Sequence, residues 1–496
     1  LSVAEPAAFA RVHRAARTAG VTRVFRPTIA ETRSEERLEC GRLFARTGRL
    51  GSKRAIGAEV ATSAIVAPKH SRGGVPVRPL LKTSLPRLIG RIPTDSLTGR
   101  RLNTAFERVE GIVMISGRYH FAAISISTIV AMCAPAAARA ASFTVAPGRS
   151  IQAAVDAASA GDTIKVLPGD YTETHGGTAA VRITKPLKLL AKSTPNAKVR
   201  ILPGPGQNNG ILVEPANPGD PDIVGVKIKG FTVEGFPNNG IWLRHVDTFK
   251  IERNESINNL ENGIWPTLSA NGLVKKNLAY GSEDSALWVE ASENVRVLNN
   301  EFHSSPTGLE ITVSRNIVAK KNNIHHNSTG IGLYHPSAAS LPPFGDDGGW
   351  DLIGNYIHDN NAPNTAPPGS MSGDLPPGGG ILVLGVDKVN IQKNRIENND
   401  FYGVTIVDYC LAVGGSSFDC ASNPPEVEPA PDDNRYVSNT FVNNGTAPTP
   451  FGGLELFAAD ITYLMLEPGH ANCFANNTYD TFQAPFLRPI VANNCK

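Results

Sequence analysis

Methionine and tryptophan are scarce in this chain, four of each in 496 residues, and none of its six cysteines has a CxxC partner. The missing CxxC argues against a four-cysteine metal site. Only Met371 and Met465 lie beyond residue 141, which argues against a copper-handling surface rich in thioether ligands. The apolar run Phe121–Ala134 is shorter than the roughly 20 residues a spanning helix needs. Positive charge is also in short supply after residue 141, where 25 Lys and Arg face 36 Asp and Glu. The formal charge of +3 arises because residues 1–141 carry 23 basic and 9 acidic residues, so it is no nucleic-acid footprint.

Residues 114–141 read as a secretory signal peptide: Arg118 near Met114, the apolar run, then Ala138-Arg139-Ala140 with small residues where a signal peptidase cuts. Residues 1–113 are rich in Arg and show no sustained period. They are expected to be sequence upstream of the true start at Met114, or a disordered extension, and no part of the fold. Four cysteines follow the signal: Cys410, Cys420, Cys473 and Cys495. An even number in an exported chain suggests two disulfides, and the sequence-local pairing Cys410–Cys420 with Cys473–Cys495 is preferred among three connectivities.

What the chain has in abundance is self-similarity. A motif Gly-Ile-x-Leu/Val or a close variant starts at 210, 240, 263, 286, 308, 330, 380, 403 and 453. Fourteen residues after the motif start comes Asn254, Asn277, Asn300, Asn322 and Asn394, and Asn355 and Asn439 continue this column where insertions intervene. Residues one and three after the Gly point inward by the period-2 rule and stack from turn to turn into a continuous core. No helical period separates the Gly and Asn columns, which excludes an α-solenoid. The expectation is all-β: a right-handed parallel β-helix over 142–460, with turns of roughly 22–23 residues. The Gly is expected to supply unusual φ/ψ at the corner, and the Asn to tolerate the left-handed region and form a ladder. Ser150–Ala158 reads as a short N-capped helix over the open end, and 461–496 as a disulfide-bearing C-terminal cap.

The run SIQAAVDAASAGDTIKVLPGDYTE, followed by repeated N-x-I-x-x-N and G-I-x-L motifs, resembles the pectate-lyase-like superfamily of right-handed parallel β-helices over about 142–460. The resemblance implies the fold and, for many members, exported enzymes acting on acidic polysaccharides as lyases, hydrolases, esterases or uronan epimerases. It implies no catalytic residue. The NTD…DD…GHG…RIK set of polygalacturonases is absent although Asp346-Asp347 exists, and so are the DPHD motif of mannuronan epimerases and the arginine motif of pectate lyases.

Candidate sites follow from the outward columns. Two residues after the corner the series runs Trp242, Trp265, Trp288, Glu310, Gly332, Leu382 and Thr405; four after it, Arg244, Thr267, Glu290, Thr312, Tyr334, Leu384 and Val407. Three tryptophans in one column are expected to form an exposed platform whose flat indoles hold sugar rings; the bland alternative is a structural stack. Glu261, Glu283, Asp284, Glu290 and Glu310 crowd the neighbouring turns, a set suited to acid/base glycosidic chemistry or to Ca²⁺, with Glu283 and Asp284 the named cation ligands. Insertions fall at 334–350, 360–378 and 408–431, and the first and third, which leave from the same corner, are candidate walls of a groove. His303, His325, His358 and Glu397 form another column, read as a metal site or as plain cover for the ladder. The leading expectation is a polysaccharide-active protein, a lyase or epimerase of uronic-acid polymers, with Tyr334 or His335 as base and Glu290 and Glu310 as acid or cation ligands. Arg244, Asp408 and the three tryptophans would bind substrate. The rivals are a non-catalytic protein binding glycan or cell-envelope material, and a periplasmic metal-handling protein. Expected partners are acidic polysaccharide or cell-envelope glycan, with no nucleic acid, no membrane span in the mature form, and a monomeric state.

Overall fold

The computed structural model describes residues 140–334, 348–466, 469–486 and 495. The expected signal peptide, residues 1–113 and the insertion residues 335–347 lie outside them, except that Ala140 and Ala141 are described. Among the described residues the chain winds into three parallel sheets of 12, 10 and 11 strands. They are called first, second and third here in the order one coil visits them. It is a right-handed parallel β-helix, as the repeat implies.

One coil shows how the sequence produces this. Ile241–Arg244 lies in the third sheet, Val246–Glu252 in the first and Glu255–Ile257 in the second, before the chain returns to the third at Ile264–Thr267. Each residue pairs with its counterpart one coil on: Ile241 with Ile264, Trp242 with Trp265, Arg244 with Thr267. The inward column Ile241, Ile264, Leu287, Leu309, Ile331, Ile381, Val404 and Ile461 is essentially inaccessible to solvent along its whole length. Parallel strands buried by their own neighbours need long apolar stacks of this kind.

The Asn column is a single buried ladder. Asn254 Nδ2 donates to Asn277 Oδ1 at 3.2 Å, and the relay continues through Asn300, Asn322, Asn355, Asn394 and Asn439 to Asn477 at 3.0 Å per step. Each amide also donates to a backbone carbonyl one coil back, as Asn300 does to Val274 at 3.1 Å. A further ladder, Asn327–Asn360–Asn399–Asn444, ends on Asp460.

Three expectations are corrected. The motif glycines from Gly210 to Gly403 have ordinary φ; they are glycines because a Cβ on Gly240 would meet Ser256 Oγ at 2.2 Å, and one on Gly263 would meet the Ala286 carbonyl oxygen at 2.5 Å. The left-handed bend falls instead on the residue before each ladder Asn: Arg253, Lys276, Asn299, Lys321 and Lys393, with φ between 54° and 56°. Gly453-Leu-Glu-Leu is not a strand. Leu454–Phe457 is a 3₁₀ turn, and the third-sheet strand is Ala459–Leu464, whose Ile461 and Tyr463 supply the inward alternation. The ladders therefore run past residue 460, through Cys473–Ala475 and Phe482–Gln483, so the coils extend into the segment expected to be a cap.

At the other end, the helix Ile151–Ala157 buries Ile151 and Val155 in the same core. Ser150 Oγ accepts from the Ala153 amide at 2.9 Å, and Glu173 accepts from the Ile151 amide at 2.6 Å, which fixes the helix N-terminus against the first coil. The disulfides are Cys410–Cys420 and Cys473–Cys495, the sequence-local pairing.

Replacing Asn300 by Ala removes a ladder amide that both donates and accepts in the core. We expect a loss of about 1–3 kcal/mol in denaturant unfolding. Unchanged stability would mean the ladder merely fills space.

Candidate functional site

The two outward columns of the third sheet carry the candidate residues, and their fates differ. The three tryptophans do stack in register. Ring centroids lie 4.8 Å apart for Trp242–Trp265 and 5.0 Å for Trp265–Trp288, with planes within 4° and 1° of parallel. Such a stack uses its faces on itself. Trp265 is covered on both sides, Leu212 pairs opposite Trp242 on the preceding coil, and Glu310 pairs opposite Trp288 on the next. The surface offered to solvent is therefore a ridge of ring edges, and the expected face-on platform for sugars is not formed. The side chains are half-buried, and two indole N–H groups are spoken for: Trp265 Nε1 donates to Glu290 Oε2 at 3.2 Å and Trp288 Nε1 to Thr312 Oγ1 at 2.8 Å.

The carboxylates are brought together at the C-terminal end of this ridge. Glu290 is half-buried, with Thr267 Oγ1 donating at 2.9 Å beside the Trp265 indole. Glu310 is 5% exposed and accepts from Ser285 Oγ at 2.6 Å. Asp284 accepts from Ser372 Oγ at 2.9 Å; Ser372 comes from the 360–378 insertion, which reaches back 88 residues in sequence to do so. Burial pushes all three carboxyl groups above the ordinary carboxylate range. Glu310 is raised furthest, and the Asp284 charge adds to it. At Glu290 the donors Thr267 and Trp265 work against that rise. Glu261, more exposed, accepts from Asn239 at 3.1 Å and adds negative charge near Asp284.

The remaining candidates are placed otherwise. Tyr334, expected as a base, is 2% exposed, and burial beside Glu310 holds its phenol well above the usual range, so it keeps its proton. His335 lies outside the described residues. Asp408 is buried and caps the short helix Tyr409–Val413, accepting from the Leu411 amide at 3.0 Å, so it does not face a substrate. Arg244 stands in the Glu290 column two coils away, about 10 Å along the axis. Glu283 and Asp284 diverge: Glu283 is exposed while Asp284 turns towards Ser372. Among the described residues no group of three or more His, Cys, Asp or Glu side chains is arranged to hold a metal ion. The His303–His325–His358 column lies in the second sheet as a stack with centroids 5.1 Å apart, running on to Glu397.

The described insertions, 360–378 and 408–431, do not wall a groove over the later coils; they close it. Met371 and Leu375 from one insertion, Leu411 and Val427 from another, and Phe451 and Phe457 nearby pack on Tyr334, Leu384, Tyr402 and Val407 in a separate apolar layer. The outer face is thus covered from Tyr334 onward. The carboxyl cluster sits where the cover begins. Ser285 and Ser372 were not anticipated. Ser372 lies in a loop with no period, so nothing in the repeat pointed to it.

This is a right-handed parallel β-helix protein with an acidic cluster on its third sheet. The family described as "Right handed beta helix region" matches residues 209–341. Among solved structures, the chain is similar to the A-module of a mannuronan C-5 epimerase from Azotobacter vinelandii, with 14% identity and a TM-score of 0.48 over 69% of this chain and 94% of that one. It is similar to DFA-IIIase from Arthrobacter chlorophenolicus A6, with 14% identity and a TM-score of 0.42 over 69% and 80%. It is also similar to the Dettilon tailspike protein, with 13% identity and a TM-score of 0.38 over 68% and 58%. No curated protein matches the sequence. Likenesses at this level say nothing of the reaction.

Two outcomes follow from this geometry. Because the folded protein holds Glu310 protonated, the stability it contributes is complete below the ordinary carboxylate range and is lost as pH rises through its raised value. Thermal stability should fall as pH rises above about 4.5, and Glu310→Gln should flatten that fall; parallel profiles would show that the group is ionised in the fold. Trp265→Ala, at the centre of the stack, should cost about 2 kcal/mol or more in chemical denaturation. No loss would mean the indoles are ligand-facing after all.

Proposed function

We propose that the protein is an exported glycan-active enzyme that cleaves glycosidic bonds with a carboxyl pair, Asp284 and Glu290, supported by Glu310. The observation that carries this reading is the cluster itself: three partly dehydrated carboxyl groups of raised pKa, gathered at the end of an aromatic ridge. Dehydrating carboxyls is costly; the buried Asp162, Glu173, Asp408 and Asp460 accept from backbone amides, whereas Asp284 and Glu310 accept from the serine hydroxyls of Ser372 and Ser285.

The roles follow from environment. Glu310 is too deep to touch a substrate and stays neutral beside the pair as a positioning residue, while burial and the charge of Glu261 keep a proton on Asp284. Asp284 then gives that proton to the glycosidic oxygen as the C–O bond breaks. Glu290, held by Thr267 and Trp265, retains its charge more readily; it attacks the anomeric carbon or removes a proton from the incoming water. The two disulfides fit an oxidising, extracellular or periplasmic setting.

Uronate elimination or epimerisation is supported less well. Either reaction must neutralise a substrate carboxylate, and here it would face the Glu290 carboxylate with the nearest column cation, Arg244, two coils away. A neutral sugar at the bond cleaved suits the charge better.

The test is a panel of neutral and acidic oligosaccharides assayed for new reducing ends and for unsaturated products. New reducing ends from a neutral substrate are expected, with Asp284→Asn and Glu290→Gln each slower by about a hundredfold or more. Unsaturated products from uronates would establish elimination instead, and retention without turnover would leave a binding protein.

A further inference from the structure

A second functional surface lies on the first sheet, and it does not rest on the reading of the carboxyl cluster. Although the chain beyond residue 141 is acidic, the outer face of this sheet is strongly cationic. One outward column carries Lys188, Lys227, Lys250 and Arg296 on the strands from Lys188–Ala191 to Arg296–Leu298. The column two residues on carries Lys165, Lys229, Lys275 and Lys320. Between the two columns the chain is buried at Leu189, Ile228, Ile251, Val274, Val297 and Ala319, so the charges share one face. The left-handed bend beside them adds Arg253, Lys276 and Lys321, which line an open groove of about 530 Å³ along the Asn ladder.

Opposing charge is sparse and engaged. Within these columns, from Thr163–Val166 to Val318–Lys320, the one acid is Glu252. It pairs with Lys227, and the hydrogen bond from that lysine holds its carboxyl below the ordinary range. At the margins, Glu255 is paired by Lys198 at 2.5 Å and Glu293 by Arg315 at 2.7 Å, Asp247 accepts from Asn271 at 2.7 Å, and Glu301, which also lines the groove, lies 3.2 Å from His325. Eight basic side chains in two columns therefore stand against one carboxylate.

We propose that this face docks a linear polyanionic glycan, a polymer of uronate or sulfated sugars lying along the solenoid axis. The coils repeat every ~4.8 Å, close to the length of one pyranose unit in an extended chain, and seven strands span about 29 Å. A regularly charged polymer meets cations at its own repeat. Single-stranded nucleic acid is disfavoured because these columns hold no aromatic side chain to stack bases. A lipid surface is disfavoured for want of the aromatic and apolar anchors that interfacial binding uses. The protein would thus be held on an anionic matrix by one face while the third sheet works on another.

The experiment compares wild type with a Lys250→Glu, Lys275→Glu, Arg296→Glu variant. Probes are polygalacturonate and heparin, a single-stranded DNA oligomer, and vesicles of phosphatidylserine in phosphatidylcholine. Wild type should be retained by an anionic polysaccharide at low salt and released as salt rises, and the variant should bind it at least about tenfold more weakly. Circular dichroism and turnover of any neutral oligosaccharide should be unchanged in the variant. The proposal is overturned if neither polysaccharide binds, if the variant binds as well as wild type, or if only DNA or vesicles bind. Loss of turnover in Glu290→Gln with docking intact would separate this face from the carboxyl site.

Discussion

Everything in this protein depends on one constraint: a residue's chief neighbour is its own counterpart one coil away. Parallel pairing at about 4.8 Å imposes it, and each side chain must tolerate a near-copy of itself at that distance. Isoleucine, leucine and valine do so by packing, and asparagine by donating and accepting in the same direction. Indoles do so by closing face to face, and charged side chains by reaching out to solvent or to a partner, as Lys227 does to Glu252. The same rule that builds the core therefore dictates what the surface can present, and explains why a tryptophan column offers edges rather than faces.

The columns also explain where chemistry can gather. A carboxylate in register with another would be repelled, so Glu290, Glu310 and Asp284 stand in three different outward positions on neighbouring coils. They reach one another diagonally, with serine and threonine hydroxyls between them. The cover formed by the insertions then removes water from one side. That combination, more than any single residue, shifts the carboxyl groups.

Much of the fold was legible because periodic sequence is redundant: nine imperfect copies of a motif outvote any one substitution. The Asn ladder, the inward column and the tryptophan register all follow from spacing alone. Spacing could not say which residue of a bend takes the left-handed conformation, since Arg253 and Lys276 do so despite unremarkable propensity. Nor could it say that Gly240 is required by the approach of the next coil rather than by φ. The site was half legible. Glu290 and Glu310 were marked by their columns and Asp284 by the acidic residues around it, but Ser372 comes from an aperiodic loop, and Tyr334 and Asp408 read as surface residues because nothing in the repeat shows what folds over them.

The ladder has a kinetic side as well. From Asn254 to Asn322 the amides are 22 or 23 residues apart at 3.0 to 3.2 Å, whereas the steps to Asn355, Asn394 and Asn439 span 33, 39 and 45 residues and still close at 3.0 Å. Doubling the length of a closed loop costs only about 0.6 kcal/mol of chain entropy. That is less than one ladder bond returns, so long excursions can be added to a coil almost without cost to its closure. Growth is nonetheless directional: closure is fastest where coils are short, so assembly is expected to start on the regular coils and proceed outward. The coils bearing the insertions close last, and the cover over the carboxyl groups is then the last part of the molecule to form.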